Sequence, residues 1–123
     1  MSGARTGRAD VLRLRGRVVL PQEPAPIEAV RVVVRVEDVS RADAPSLVVA
    51  ESVQDHPPLL GGAVGYAIDV PLERIDPRAR YSLSAHVDVS GSGRVERGDL
   101  ITTQSYPVQA DRDTEVDLVV RRV

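Results

Sequence analysis

The chain contains no cysteine, lysine, tryptophan or phenylalanine. Without cysteine there can be no disulfide framework, thiolate zinc site, cysteine nucleophile or lipobox. None is needed for stability, because a chain of 123 residues buries roughly two thirds of its unfolded surface in a single domain. Aromatic residues are 2% of the chain: Tyr66, Tyr81 and Tyr106. Base-stacking platforms and sugar-stacking clefts both need aromatic faces, so both lose weight. The core must come from Val, Leu, Ile and Ala. A charge of one sign is also lacking. The net charge is -2, with no basic block, so nucleic acid is not an expected partner. All 16 basic residues are arginine, which reads as genomic base composition. No stretch approaches the roughly 18 apolar residues of a membrane span, and direct membrane insertion is not expected. Met1–Asp10 has arginines but no apolar export region. The chain as written is therefore expected to be cytoplasmic, whereas a chain trimmed of a leader would belong to the cell envelope.

What is present is alternation. After a disordered tail at residues 1–10, a single domain over residues 11–123 is expected. Leu12, Leu14, Gly16, Val18 and Leu20 share one face, and Arg13, Arg15 and Arg17 the other. Pro21, Pro24 and Pro26 make a connection. Val30, Val32, Val34 and Val36 then alternate with Arg31, Val33, Arg35 and Glu37, and β-branched residues on one face favour a strand. Leu47, Val49 and Val53 predict a third core face. Val64, Tyr66, Ile68 and Val70 predict a fourth. Tyr81, Leu83, Ala85, Val87 and Val89 form a fifth, a sixth strand spans Leu100 to Tyr106, and Val116, Leu118 and Val120 make the seventh. Short strands separated by Gly and Pro turns predict an all-β fold, an antiparallel β-sandwich of about seven strands of transthyretin-like or immunoglobulin-like type.

Two strings interrupt this pattern: Asp38-Val-Ser-Arg-Ala-Asp-Ala-Pro45 and Ile75-Asp-Pro-Arg-Ala-Arg-Tyr81. The second resembles the connection that crosses between the sheets of such sandwiches. Ile75 and Pro77 belong to the crossing, and Tyr81 is placed to bond back to the upstream backbone. Together with Tyr106-Pro-Val108 and Val116-Asp-Leu-Val119, the two strings make the chain, from about Leu14 to Val123, resemble the YscW-type lipoprotein family. That family includes YbaY-like envelope lipoproteins and type III secretion lipoprotein chaperones. The resemblance implies a small β-sandwich, usually lipid-tethered, and in secretion systems a pilot that helps a secretin reach its place. The sequence departs from that pattern in having no signal peptide and no lipobox cysteine.

Several residues are candidates for partner contact. Asp38, Ser40, Arg41 and Asp43 form either a docking loop or a turn that satisfies its own backbone. Arg13, Arg15 and Arg17, with Arg31 and Arg35, form either an anion-binding surface or a salt-bridged face. If their strands pair, Glu37, Glu115 and Asp117 are the available counter-charges. Ser82, Ser84, His86 and Asp88 share a strand face, but no nucleophile elbow or oxyanion hole accompanies them, so no catalytic residue is assigned. His56 follows Asp55 without any metal-ligand spacing, and no metal or cofactor is implied. The expected function is a non-enzymatic protein-binding or assembly module. It would dock a protein segment on the loops at one end or by strand addition at an edge, either the strand near Leu47–Val53 or the sixth strand. Two alternatives stand beside it. One is a homo-oligomeric structural subunit using Val11, Val19, Val33 and Val119 as an apolar patch. The other is a small-ligand carrier or enzyme.

Overall fold

The computed structural model describes residues 10–22 and 29–123. The expected tail up to residue 9, and Pro24 and Pro26, lie outside them. The described chain is all-β: β1 (Val11–Val19), β2 (Arg31–Asp38), β3 (Leu47–Asp55), β4 (Ala63–Pro71), β5 (Tyr81–Asp88), β6 (Leu100–Thr102), β7 (Tyr106–Val108), β8 (Thr114–Glu115) and β9 (Leu118–Arg122). A 3-10 turn at Leu72–Arg74 follows β4. Among the described residues no helix is long and apolar enough to cross a membrane.

The expected all-β fold is found, but its strands do not make a clear antiparallel sandwich of about seven. The strands form one continuous path, β3-β2-β5-β6-β9-β1-β4, which curls into a half-barrel of mixed direction. The cause lies in β9. Its first residues, Leu118 and Val119, run parallel to Val18 and Val19 of β1. Val120 to Arg122 run antiparallel to Thr102 to Leu100 of β6. One strand thus belongs to both halves and joins them into one path. The sixth strand is two pieces, β6 and β7, both laid along β5. Pro107 sits within β7, where its missing N–H is tolerated because β7 has a ladder on one side only. The expected seventh strand begins only at Leu118, as β9, with Val116 and Asp117 outside it, and the short β8 that precedes them runs parallel to β1.

The core follows the predicted faces of β1, β2, β4, β5 and β9. Leu14, Leu83, Leu100, Leu118 and the valines at 18, 32, 34, 36, 64, 70, 87 and 120 are almost wholly buried. Each large aliphatic side chain buried this way contributes roughly 1.5–3 kcal/mol. Gly16 occurs in this run because a Cβ there would overlap the carbonyl of Val116. That carbonyl accepts the Tyr66 hydroxyl at 2.6 Å, and burial pushes the Tyr66 pKa up to about 12. The β3–β4 connection closes on Gly61 and Gly62, both at positive φ, as a two-residue turn between Leu60 and Ala63.

β3 departs from expectation. Its register sets Gln54, Ser52 and Ala50 opposite the core residues Val32, Val34 and Val36, with an irregularity at Val36/Glu37. Leu47 and Val53 are therefore 69% and 49% exposed, and the predicted core face is wrong at those two positions. β3 also ends the strand path. Its edge is crossed by side chains: the Gln54 amide donates to Gly65 O on β4 at 2.7 Å, and Arg74 donates to Val49 O at 3.1 Å. The Arg74 bond takes up a backbone carbonyl of β3 and the Gln54 bond one of β4, groups that would otherwise be open to another strand.

Candidate functional site

The two loop strings meet at one end of β5. Asp38 closes β2 and turns the chain, its carboxylate accepting both the N–H and the hydroxyl of Ser40, at 2.9 and 2.6 Å. These bonds hold Asp38 below the usual carboxylate range. Ser40 Oγ in turn accepts the N–H of Arg80 at 2.9 Å, and Val39 N–H donates to Arg80 O at 2.8 Å. The crossing segment is tied up in the same manner. Asp76 accepts the Arg78 N–H at 2.9 Å, and Ala79 N–H donates to Asp76 O at 3.0 Å. The Tyr81 hydroxyl accepts the Asp76 N–H at 2.8 Å, five residues upstream. Ile75 and Ala79 pack against the core, and Pro77 is exposed in the turn.

These loops and the stretch after β7 enclose an open groove of about 1010 Å³. Its walls include Val39, Pro77, Ala79, Pro107, Val108 and Ala110, with Arg80 and Asp111 as charged groups. The third string of the resemblance, Tyr106-Pro-Val108, is thus part of the wall. The Tyr106 hydroxyl fixes this region to β9 by accepting the Val119 N–H at 2.9 Å. The groove is apolar, and its tyrosine hydroxyl is already engaged.

The arginine rows do not come together. β1 pairs with β4, β8 and β9, while β2 pairs with β3 and β5, so the five guanidinium groups lie on different parts of the sheet. Most are already partnered across their ladders: Arg15 with Asp69 (3.7 Å), Arg17 with Asp117 (2.8 Å), Arg31 with Asp55 (2.9 Å) and Arg35 with Glu51 (3.1 Å). Arg13 donates its backbone N–H to Asp113 at 2.9 Å. Asp117 is the counter-charge anticipated for Arg17, and the bond between them lowers the Asp117 pKa and raises that of Arg17. Glu37 instead accepts the Ser84 hydroxyl at 3.3 Å. Arg41 and Asp43 are exposed beside the groove loop. The apolar positions on polar faces do not form one patch either. Val19 pairs with Val119, but Val33 lies between Val53 and His86 on the other half of the sheet.

The other end of β5 carries a network that sequence reasoning did not anticipate. His86 is buried, not on an exposed face, and its Nε2 lies 2.9 Å from Asp99 Oδ2. Asp99 also accepts the N–H groups of Val89 (2.9 Å), Ser90 (3.3 Å) and Glu96 (3.1 Å). Asp88 accepts Gly91 N–H (2.7 Å), Gly93 N–H (2.9 Å) and the Ser90 hydroxyl (3.2 Å). Burial pushes both carboxylates up, but these donors outweigh it and hold both below the usual range. His86, Asp88 and Asp99 have ligand atoms within 4.8 Å of one another. However, each Asp99 oxygen already takes two donors, so a metal would have to displace loop N–H groups. Among the described residues no serine bonds His86: Ser84 turns to Glu37 and Ser82 to the Tyr106 backbone. Asp99 was missed because a single Asp between Gly98 and Leu100 looks like any turn residue. His56 lies at the end of β3 with positive φ, its N–H donating to Val30 O at 2.9 Å.

Comparison with known proteins places the groove in context. No curated protein matches the chain at a significant level. A solved structure described as an alternative pilotin from the type II secretion system of Vibrio cholerae superposes with a TM-score of 0.75 at 26% identity, covering 92% of this chain and 97% of the other. The family model for the type III secretion system lipoprotein chaperone YscW matches residues 9–120. The three strings that build the groove lie inside that match, and the chain belongs to the YscW family.

Proposed function

We propose that this chain is a non-enzymatic, chaperone-like binding module that holds an apolar segment of a secretin-type subunit in the groove between residues 75–81 and 105–111. The single observation that carries this reading is convergence: Val39 from the first string, Pro77 and Ala79 to Tyr81 from the second, and Pro107 and Val108 from the third are far apart in sequence yet line one largely apolar groove, while Asp38, Ser40, Arg41 and Asp43 stay outside its lining. The pilotin likeness and the family match support a protein partner of this class. Backbone and hydroxyl bonds hold the groove walls in place before any partner arrives, which lowers the ordering cost of binding. The expected β3 edge is less suited, since Gln54 and Arg74 already cross it. Of the expected sixth strand, β6 lies between β5 and β9 and offers no edge, whereas β7 keeps one side without a ladder and borders the groove itself.

Site-specific photo-crosslinking in the native host tests the proposal. A crosslinker at Gln109, exposed on the groove wall, should capture one envelope-assembly subunit of secretin type. A crosslinker at the exposed Arg121 on β9 should not. The adduct should disappear when Val39→Arg fills the groove. Equal capture from both positions, or an adduct that survives Val39→Arg, would sink the proposal.

A further inference from the structure

We propose that residues 89–98 form a flap pinned to the sheet by Asp88 and Asp99, one that opens as a unit when either carboxylate loses its charge, while the sheet itself stays folded. This goes beyond the groove and does not depend on it.

The argument begins with where the flap's backbone bonds go. Five of its N–H groups, from Val89, Ser90, Gly91, Gly93 and Glu96, donate to the two carboxylates. The flap pairs with no strand ladder. Its end is tied by Asp99 N–H to Glu96 O, and Val123 N–H reaches Asp99 O at 2.8 Å. A segment whose backbone is satisfied by two side chains at its ends opens locally at far lower cost than a ladder strand. Gly91, Gly93 and Gly98 have positive φ, and added Cβ atoms at Gly93 and Gly98 would meet nothing within 4 Å. The hinge positions are therefore free to move without a steric barrier from neighbours.

The flap borders a concavity of about 280 Å³ on the outer face of β2, β3 and β5. Gly93 forms one rim, and Val33, Val53 and His86 form the floor. Val33 points to this outer face, yet only 7% of it is exposed. Opening would widen this concavity at its Gly93 rim, next to Asp88 and His86. The charged groups around the concavity beside Asp88 are Arg31 and Arg35 from β2 and Glu51 and Asp55 from β3; His86 bonds Asp99, and the Asp99 charge pushes Asp88 up. The two arginines are paired with Asp55 and Glu51, so the flap's own N–H groups and His86 supply most of the counter-field. The sign follows. Both carboxylates are held below the ordinary range, so the flap is closed at neutral pH and opens only as pH falls through their lowered values.

Amide hydrogen exchange read by NMR tests this on the full chain. In Asp99→Asn at neutral pH an amide NH2 faces backbone donors, and protection of the five flap amides should fall about a hundredfold. Amides of β1 and β4 should change less than about threefold. Asp88→Asn, and the unsubstituted chain taken to acid, should open the same five amides first. Simultaneous loss of flap and sheet protection in all three experiments would show no separate flap and overturn the proposal. So would flap amides that stay protected in both variants.

Discussion

The two ends of β5, about 23 Å apart along an eight-residue strand, are secured by different chemistry. At the Tyr81 end, hydroxyl groups and backbone do the tying: Tyr81 to Asp76, Ser40 to Arg80, Val39 to Arg80. Of the two carboxylates in that clasp, Asp38 is partly exposed and Asp76 exposed. At the Asp88 end, two buried carboxylates gather an entire loop. The first arrangement rests mainly on uncharged groups, with the lowered carboxylate of Asp38 among them, and leaves an open groove. The second rests on two carboxylates that hold a loop at the rim of a sheet face. A docking surface benefits from walls that hold their shape. A flap benefits from a small number of pins whose loss releases it together.

Substitutions sharpen this contrast. The largest effect should come from Asp99→Ala, which leaves three backbone donors and His86 without their acceptor. Breaking a buried network of this kind costs about 3 kcal/mol, read as a lower urea midpoint. Tyr81→Phe should cost about 1 kcal/mol by leaving the Asp76 N–H unpaired. No change in its urea midpoint would refute the corner bond. Ser40→Ala should cost somewhat less, about 0.5–1 kcal/mol, and should raise exchange at Arg80 while the flap amides keep their protection. The pH profile separates the two ends most finely. Because the folded pKa values of Asp88 and Asp99 are lowered, their contribution is fully present above the ordinary Asp value and is lost as pH falls through the lowered ones. Asp99→Asn should flatten the acid limb of stability against pH, whereas Tyr81→Phe should shift the whole curve without changing its slope.

The same contrast explains what was legible in the sequence. The Tyr81 end is built from residues close in sequence, and Asx turns, a proline and a tyrosine five residues after Asp76 are local signals. Alternation located the strands and most of the core for the same reason. The Asp88 end needed Asp99 and a partner thirteen residues away, His86, and nothing in a Gly-Asp-Leu triplet marks burial. Strand direction was also illegible. The parallel placement of β8 and β9 on β1 depends on where a distant strand arrives, not on its own alternation. β3 misled because an edge strand keeps apolar residues outside. Leu47 and Val53 imitated a core face, while small and polar Ala50, Ser52 and Gln54 took the inner positions.

The central claim is that the partner sits in the groove at the Tyr81 end. The most direct measurement is the affinity of the cross-linked partner, purified, for two single variants of this chain. Val39→Arg blocks the groove wall, and Asp99→Asn disturbs only the far end. The account predicts at least about a thirtyfold loss for Val39→Arg, the scale of an interface hot spot, and a change within about threefold for Asp99→Asn. The reverse order would contradict it and move the docking surface to the face beneath the flap.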